Sequence, residues 1–359
     1  MAGSASSLSW QEIALAPEDR PALPRSGHCM VALPAEHADD VLLFGGYTED
    51  SELNKEAAND AWVLRLAEGR WQRVQYADGP VPRVRLAAAA AVVGDTMWLM
   101  AGWDPGHKRD GGEILADLWA LDLSTWAWRQ VQPQGEAMPV ISRFQAVVIG
   151  PSVYIHTHRS LLDILVLDVA DPAAPKLALR PVTGTEGTPM SRGLHSMTAT
   201  ASGHLILFAG APKSGPMLGD LWGFDPASTA WEELDPDGQA PHVRCSQAAA
   251  AVGDDVFFFG GSYYKEDQSG LQPLSDTLVL DTQSMTWQYP RVTGGAAPSP
   301  RNAAMMVAVG SRLVLHGGWY PFKQSYNDTY VMDVGGYDAM RSAVSLEPEE
   351  PGFADGAQA

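Results

Sequence analysis

Six arginines, Arg25, Arg83, Arg143, Arg192, Arg244 and Arg301, recur along the 359-residue chain, usually just after Pro or Ser. A guanidinium offers a planar fork of donors, so several drawn together form a receptor for carboxylate, sulfate or phosphate. The same fork can pair with Asp or Glu and staple neighbouring segments, the simpler role for a residue that returns in every copy of a repeat. Aromatics stand nearby: Tyr47, Trp103, Tyr263 and Trp319 each follow an apolar run that closes on glycine, with Lys or Arg downstream. Aromatic and basic side chains are the types enriched where proteins bind partners, and they serve equally to cover strand ends.

Other chemistry is thinly represented. His156 and His158 lie two apart and in an extended segment would point the same way, with Asp163 close in sequence. Two histidines do not complete a ligand set, so they are weak metal candidates, and neither a metal nor another cofactor is expected. Cys29 and Cys245 are far apart and show no zinc spacing, so each reads as a small buried hydrophobe. No hydrolase elbow, phosphate loop or dinucleotide fingerprint occurs. The 43 acids against 24 bases leave a net charge of −19. That charge repels a phosphate backbone and an anionic bilayer, so nucleic acid and membrane are excluded as partners. No apolar run approaches the roughly 20 residues of a membrane span. The N-terminal residues MAGSASSLSW lack a basic-then-apolar leader, and a cytoplasmic location is expected.

The residues that must position these groups form a repeat. Six Asp-led apolar motifs begin at Asp60, Asp117, Asp163, Asp220, Asp276 and Asp328, at intervals of 57, 46, 57, 56 and 52 residues. Trp71, Trp128, Trp231 and Trp287 follow eleven residues after four of them, while Ala174 and Ala339 stand there in the third and sixth. Upstream of each lies a short apolar strand such as LLFGG, WLMAG, LILFAG, VFFFGG or LVLHGG, and upstream again the arginine. Four short strands per unit, with 35 Gly and 26 Pro between them, specify an all-β propeller of six blades. The third unit is degenerate: it lacks the Gly pair and the Trp, and reads His156-Thr-His158-Arg159 instead.

On Pro24-Arg25-x-x-His28, Leu43-Phe44-Gly45-Gly46, Asn59-Asp60-x-Trp62 and Trp71 the units resemble Kelch repeats. The resemblance implies that the first strand of each blade lines a central channel, and that the six arginines ring one mouth of it. Iron-dependent specifier proteins of the same family carry Glu-x-x-x-Asp-x-x-x-His. Here Glu56 with Asp60, and Glu113 with Asp117, form only half of that motif, because Leu64 and Leu121 follow. Trp10 stands 15 residues before Arg25 and reads as the outer strand of the last blade, donated by the N-terminus to close the ring. The expected organisation is a flexible 1–7, a propeller over 8–337, and an acidic, disordered 338–359.

The expected function is binding a protein or peptide partner, as an adaptor or scaffold, through the variable loops and the arginine-ringed mouth. The alternative is a lyase or isomerase that holds an anionic small molecule at the same mouth, with the enzyme reading the less favoured.

Overall fold

The computed structural model describes residues 7–347 except 22, 35, 36, 38, 39, 53, 107–110, 185, 186, 266–268, 294–296, 342 and 343. Within it the repeat becomes six sheets, each a blade of four antiparallel strands, and blades 3 and 4 add a short parallel edge strand. The inner strands are Cys29–Ala32, Ala89–Val93, Gln145–Ile149, Ser196–Ala199, Ala248–Val252 and Met305–Val309. Each touches the inner strands of the blades on both sides, blade 6 against blade 1 included, so the ring is closed. Alanine is frequent in these strands because the six converge on one axis and leave little room for side chains. The third strands, Lys55–Arg65, Glu113–Asp122, Asp163–Asp168, Leu218–Asp225, Thr277–Asp281 and Thr329–Asp333, carry the Asp motif, midway along in blades 1 and 2 and at or near the start in the others.

The outer strands of blades 1 to 5 are Arg70–Arg73, Ala127–Val131, Lys176–Pro181, Ala230–Leu234 and Thr286–Gln288. Blade 6 takes Gln11–Glu12 as its outer strand, with Gln11 opposite Val331 and Glu12 opposite Tyr330. The sequence therefore located the closure correctly. Trp10 is 2% exposed, and its Nε1 donates to Thr277 Oγ1 on blade 5 at 3.1 Å. Trp71 repeats the pattern one blade on, donating to Thr329 Oγ1 on blade 6 at 3.0 Å. Each of these outer-strand indoles thus packs into the preceding blade, which explains a Trp at this register.

The segment beyond 337 departs from the expected disorder over its described part. A short helix, Tyr337–Met340, buries Tyr337 against Phe257 of blade 5, and its hydroxyl donates to Gln288 Oε1 at 2.6 Å. Arg341 then donates to Asp281 and Asp255 at 2.5 and 2.7 Å, and Ser345 pairs with Tyr289. Composition suggested disorder because few apolar residues are present, yet one buried Tyr and one Arg among acids suffice to dock the segment. Residues 1–6 and 348–359, also assigned to flexible ends, lie outside the described residues.

Candidate functional site

The repeat arginines are built into the blades. Arg25, Arg192, Arg244 and Arg301 are at most 1% exposed. Each forks onto the Asp that opens its own blade's motif: Asp60, Asp220, Asp276 and Asp328. One nitrogen also reaches a backbone carbonyl of the same blade, Gly45, Ala209, Gly260 or Gly317, at 2.9 to 3.0 Å. The main chain of Arg25, Arg244 and Arg301 meanwhile bonds the preceding blade, as when Arg301 N donates to Leu274 O and Arg301 O accepts from Gly261 N. The arginine thus stitches two blades at once. Burial opposes charge on Asp60 and Asp220, but bonds and attraction from Arg25 and Arg192 outweigh it and hold both carboxyls below the usual range.

Two positions need correction. In blade 2 the stitch is made by Arg85, 1% exposed and forked onto Asp117 at 2.7 and 2.8 Å, not by Arg83. Arg83 is about two-fifths exposed and pairs with Asp104 and Glu113. The error arose because Arg83 follows Pro, as Arg25 does, and two arginines stand two apart. In blade 3 the position belongs to Ile141, which bonds Leu115 O and Gly102 N of blade 2 as the arginines do elsewhere, and is fully buried. Arg143 lies two residues beyond it, exposed, with its guanidinium 5.5 Å from the Trp103 ring.

Two residues after each stitch comes a feature the sequence did not reveal. Gly27, Ala303, Ser246, Leu194, Arg143 and Ala87 each donate their amide to the carbonyl of the next, and Ala87 donates back to Gly27, at 2.8 to 3.1 Å. All six hold φ between 50° and 60°, the left-handed region that costs an L-residue about 1 kcal/mol. This closed cycle forms the rim of the channel. Its only signal in the sequence was position, two residues past an arginine, because residue types vary freely where only backbone bonds are made. The Gly pair has its own cause: a Cβ on Gly46, at φ +98°, would meet His28 Cβ at 2.7 Å.

Inside the rim is a cavity of about 220 Å³ lined in part by His28, Arg143, His195, Ser246, Gln247 and small inner-strand residues. Both ring nitrogens of His28, Nδ1 of His195 and Oε1 of Gln247 are buried and unpartnered among the described atoms. His28 packs edge-on to His316 of blade 6 at 5.5 Å. His195 Nε2 lies 3.1 Å from His156 Nδ1 of blade 3. Burial, then nearby positive charge, pushes His28 and His156 down to about 3 and His195 and His316 well below the usual range, so all four are neutral at pH 7.

The candidate metal ligands do not converge. His156 is 1% exposed in the blade seam, whereas His158 is exposed in the following turn. Among the described residues no three His, Cys, Asp or Glu side chains gather as a ligand set. The Asp members of both half-motifs, Asp60 and Asp117, are occupied by Arg25 and Arg85. His107 lies outside the described residues. Cys29 and Cys245 are free and buried, and burial pushes the Cys29 thiol up to about 12. No helix is long and apolar enough to cross a membrane among the described residues.

The loops joining second to third strands open on the rim side, as the pairings Leu86 with Trp103, Gly193 with Ala211, Cys245 with Ser262 and Asn302 with Trp319 show. Tyr47, opposite Ser26, Trp103, Tyr263 and Trp319 all lie there, half-buried. Tyr263 stacks on His242 at 3.9 Å, and Trp319 sits under Lys55 at 4.9 Å and beside Phe322 at 5.4 Å. Apart from Leu179 and Leu346, the exposed large apolar side chains among the described residues lie in these loops, at the rim-side end of a third strand where Ile114 pairs with Trp103, or in the segments leading to the stitch positions. They include Ile114, Val140, Leu162, Met190, Tyr264 and Phe322. The apolar exposure is therefore one-sided.

Comparison with known proteins places this geometry. The model of the KLHDC2/KLHL20/DRC7 Kelch-repeats domain matches residues 4–173 and 164–338. Acyl-CoA-binding domain-containing protein 4 of Arabidopsis thaliana is 29% identical over 76% of the chain and 39% of its own length. The leucine-zipper-like transcriptional regulator 1 homolog of Drosophila melanogaster is 27% identical over 67% of the chain and 25% of its length, so the chain spans well under half of both relatives. N-(sulfonatooxy)prop-2-enimidothioate sulfolyase of Thlaspi arvense is 24% identical over 71% of the chain and 76% of its length.

Proposed function

Because the chain belongs to the KLHDC2/KLHL20/DRC7 Kelch-repeat family, whose repeats commonly mediate protein interaction, we propose that it binds a protein or peptide partner as an adaptor or scaffold, through the rim-side loops. The observation that carries this reading is the one-sided exposure of large apolar side chains on that face. Scattered apolar residues on a surface are ordinary, but their gathering on the face with the variable loops is the mark of an interface. The test is partner capture with the intact protein, followed by capture with Tyr263→Ala and Trp319→Ala. Loss of the partner in folded variants supports the reading, and a partner retained by both and lost on changes to the opposite face overturns it.

A second reading has one specific support. The sulfolyase relative bears in its name a sulfonated substrate, and Arg143 is an exposed guanidinium at the rim of a polar-lined cavity. Under that reading Arg143 would hold an anionic group at the mouth while His28, His195 and Gln247 contact the remainder. Turnover or tight binding of a small organic sulfate that is abolished in Arg143→Ala would establish it over partner binding.

A further inference from the structure

The degenerate third blade breaks the repeat pattern on one shoulder of the rim face. Ile141 replaces the stitching arginine, so Asp163 has no guanidinium fork and the surface here is built differently. Leu161 and Leu162 in the turn after His156 are 43% and 79% exposed, and Met190 at the entrance to blade 4 is 52% exposed. They belong to one continuous surface. Thr188 Oγ1 donates to Leu161 O at 2.7 Å, Val182 N to Leu162 O at 3.0 Å, and Ser191 Oγ to His158 O at 2.6 Å.

Cations border this apolar patch. Arg143, Arg159 and Lys213 are all exposed, and no ion pair engages any of them among the described residues. Arg159 and Lys213 both lie near enough to His158 that, after burial, their charges lower its affinity for a proton. The contrast is with the buried arginines of the blades. The stitching arginines are all paired, and the net charge is −19. Of the chain's lysines, Lys55 opens a third strand and Lys176 an outer one, and the others fall in the sequence between second and third strands. Unpaired cations around exposed leucines, on a protein that otherwise repels anions, are complementary to acidic and apolar groups together.

We propose that the shoulder of blades 3 and 4, formed by Leu161, Leu162 and Met190 with Arg143, Arg159 and Lys213, docks an acidic protein segment that presents apolar side chains between its Asp or Glu residues. This inference rests on the partner-binding reading and adds to it a location and a partner chemistry. The apolar side chains would cover the leucines, and the acids would steer and orient the segment, so binding weakens as salt rises.

The test uses the full chain and a random linear peptide library displayed on phage, followed by fluorescence anisotropy of the selected peptides. The expected result is enrichment of peptides with Leu, Met or Phe flanked by Asp or Glu. Their affinity should fall at least about tenfold in Leu162→Ser with Met190→Ser, and again in Arg159→Glu with Lys213→Glu. The charge-reversal pair changes only two exposed side chains, so it keeps the test decisive if the apolar pair lowers solubility. Peptides that lack acids, or whose binding ignores both pairs and is lost in Tyr263→Ala or Trp319→Ala, overturn this inference and leave partner binding intact. A selection that yields no peptide, or only peptides indifferent to every rim-face change, overturns both.

Discussion

Arg85, itself buried, grips Asp117 with both terminal nitrogens, while Arg83, two residues earlier and two-fifths exposed, reaches the buried Asp104 and the half-exposed Glu113. The two arginines differ in what their loss leaves behind. Arg85→Ala would strand a carboxylate that is largely buried, and breaking such a pair costs about 3–5 kcal/mol. Arg83→Ala removes a guanidinium that is itself two-fifths exposed and screened by water, and Asp104 keeps the Gly106 amide, so the loss should be smaller, about 1 kcal/mol. Urea denaturation of the two variants checks this, and equal losses would refute the assignment of the stitch to Arg85.

The N-terminal strand closes the ring, so Trp10→Ala should destabilise the whole propeller and not the N-terminus alone. Trp10 fills a buried site against Phe259 at 5.6 Å, and truncating a buried Trp costs about 3–5 kcal/mol. Deleting residues 1–15 should go further and cause aggregation, because the edge of blade 6 is then left unpaired. A soluble deletion variant with an unchanged melting curve would disprove the closure.

Stability should fall on acidification in two stages. The four seam histidines have folded pKa values depressed below the unfolded value near 6.5, to about 3 for His28 and His156, so as pH falls below 6.5 the unfolded chain binds more protons. Their contribution is complete above pH 6.5 and is lost as pH falls, at about 1.4 kcal/mol per unit for each histidine. The stitched carboxylates, also depressed, add a second loss below about pH 4. His156→Gln with His195→Gln should flatten the first stage in a plot of unfolding free energy against pH. An unchanged slope between pH 4 and 6 would show that these imidazoles do not carry it.

Arg143 separates structure from binding. It holds φ +59° in the rim cycle, where glycine fits without strain, and its side chain is exposed. Arg143→Gly should therefore keep or raise stability by up to about 1 kcal/mol while weakening any anionic ligand or partner at the mouth. Thermal melting together with binding reads both effects, and a clear loss of stability would mean that the side chain is structural.

The folded C-terminal segment predicts a further effect. Arg341 is clamped by Asp255 and Asp281, and burial, partly offset by Arg341, raises Asp255 to about 6. Truncation after Gly336 removes both this clamp and the buried Tyr337, and should lower the melting temperature by several degrees. A truncated chain that melts like the full one would show that the docking adds nothing.

The architecture was legible in residue spacing alone. Asp, Trp and Gly returning in register require one kind of packed unit, and the extra Trp10 had only one unfilled place to go. The spacing also fixed which residues vary, and hence where binding loops such as those around Tyr263 and Trp319 lie. The pairing of arginine with aspartate was set by the packed blades, because Arg83 and Arg85 stand two apart and only Arg85 lies at the seam, where its amide donates to Ala58 O of blade 1 and its guanidinium forks onto Asp117. The rim cycle was likewise invisible, since backbone bonds between blades leave no mark on residue type. The shoulder of blade 3 emerged for the same reason: exposure of Leu162, and the company of Arg159 and Lys213, are properties of neighbours distant in the chain.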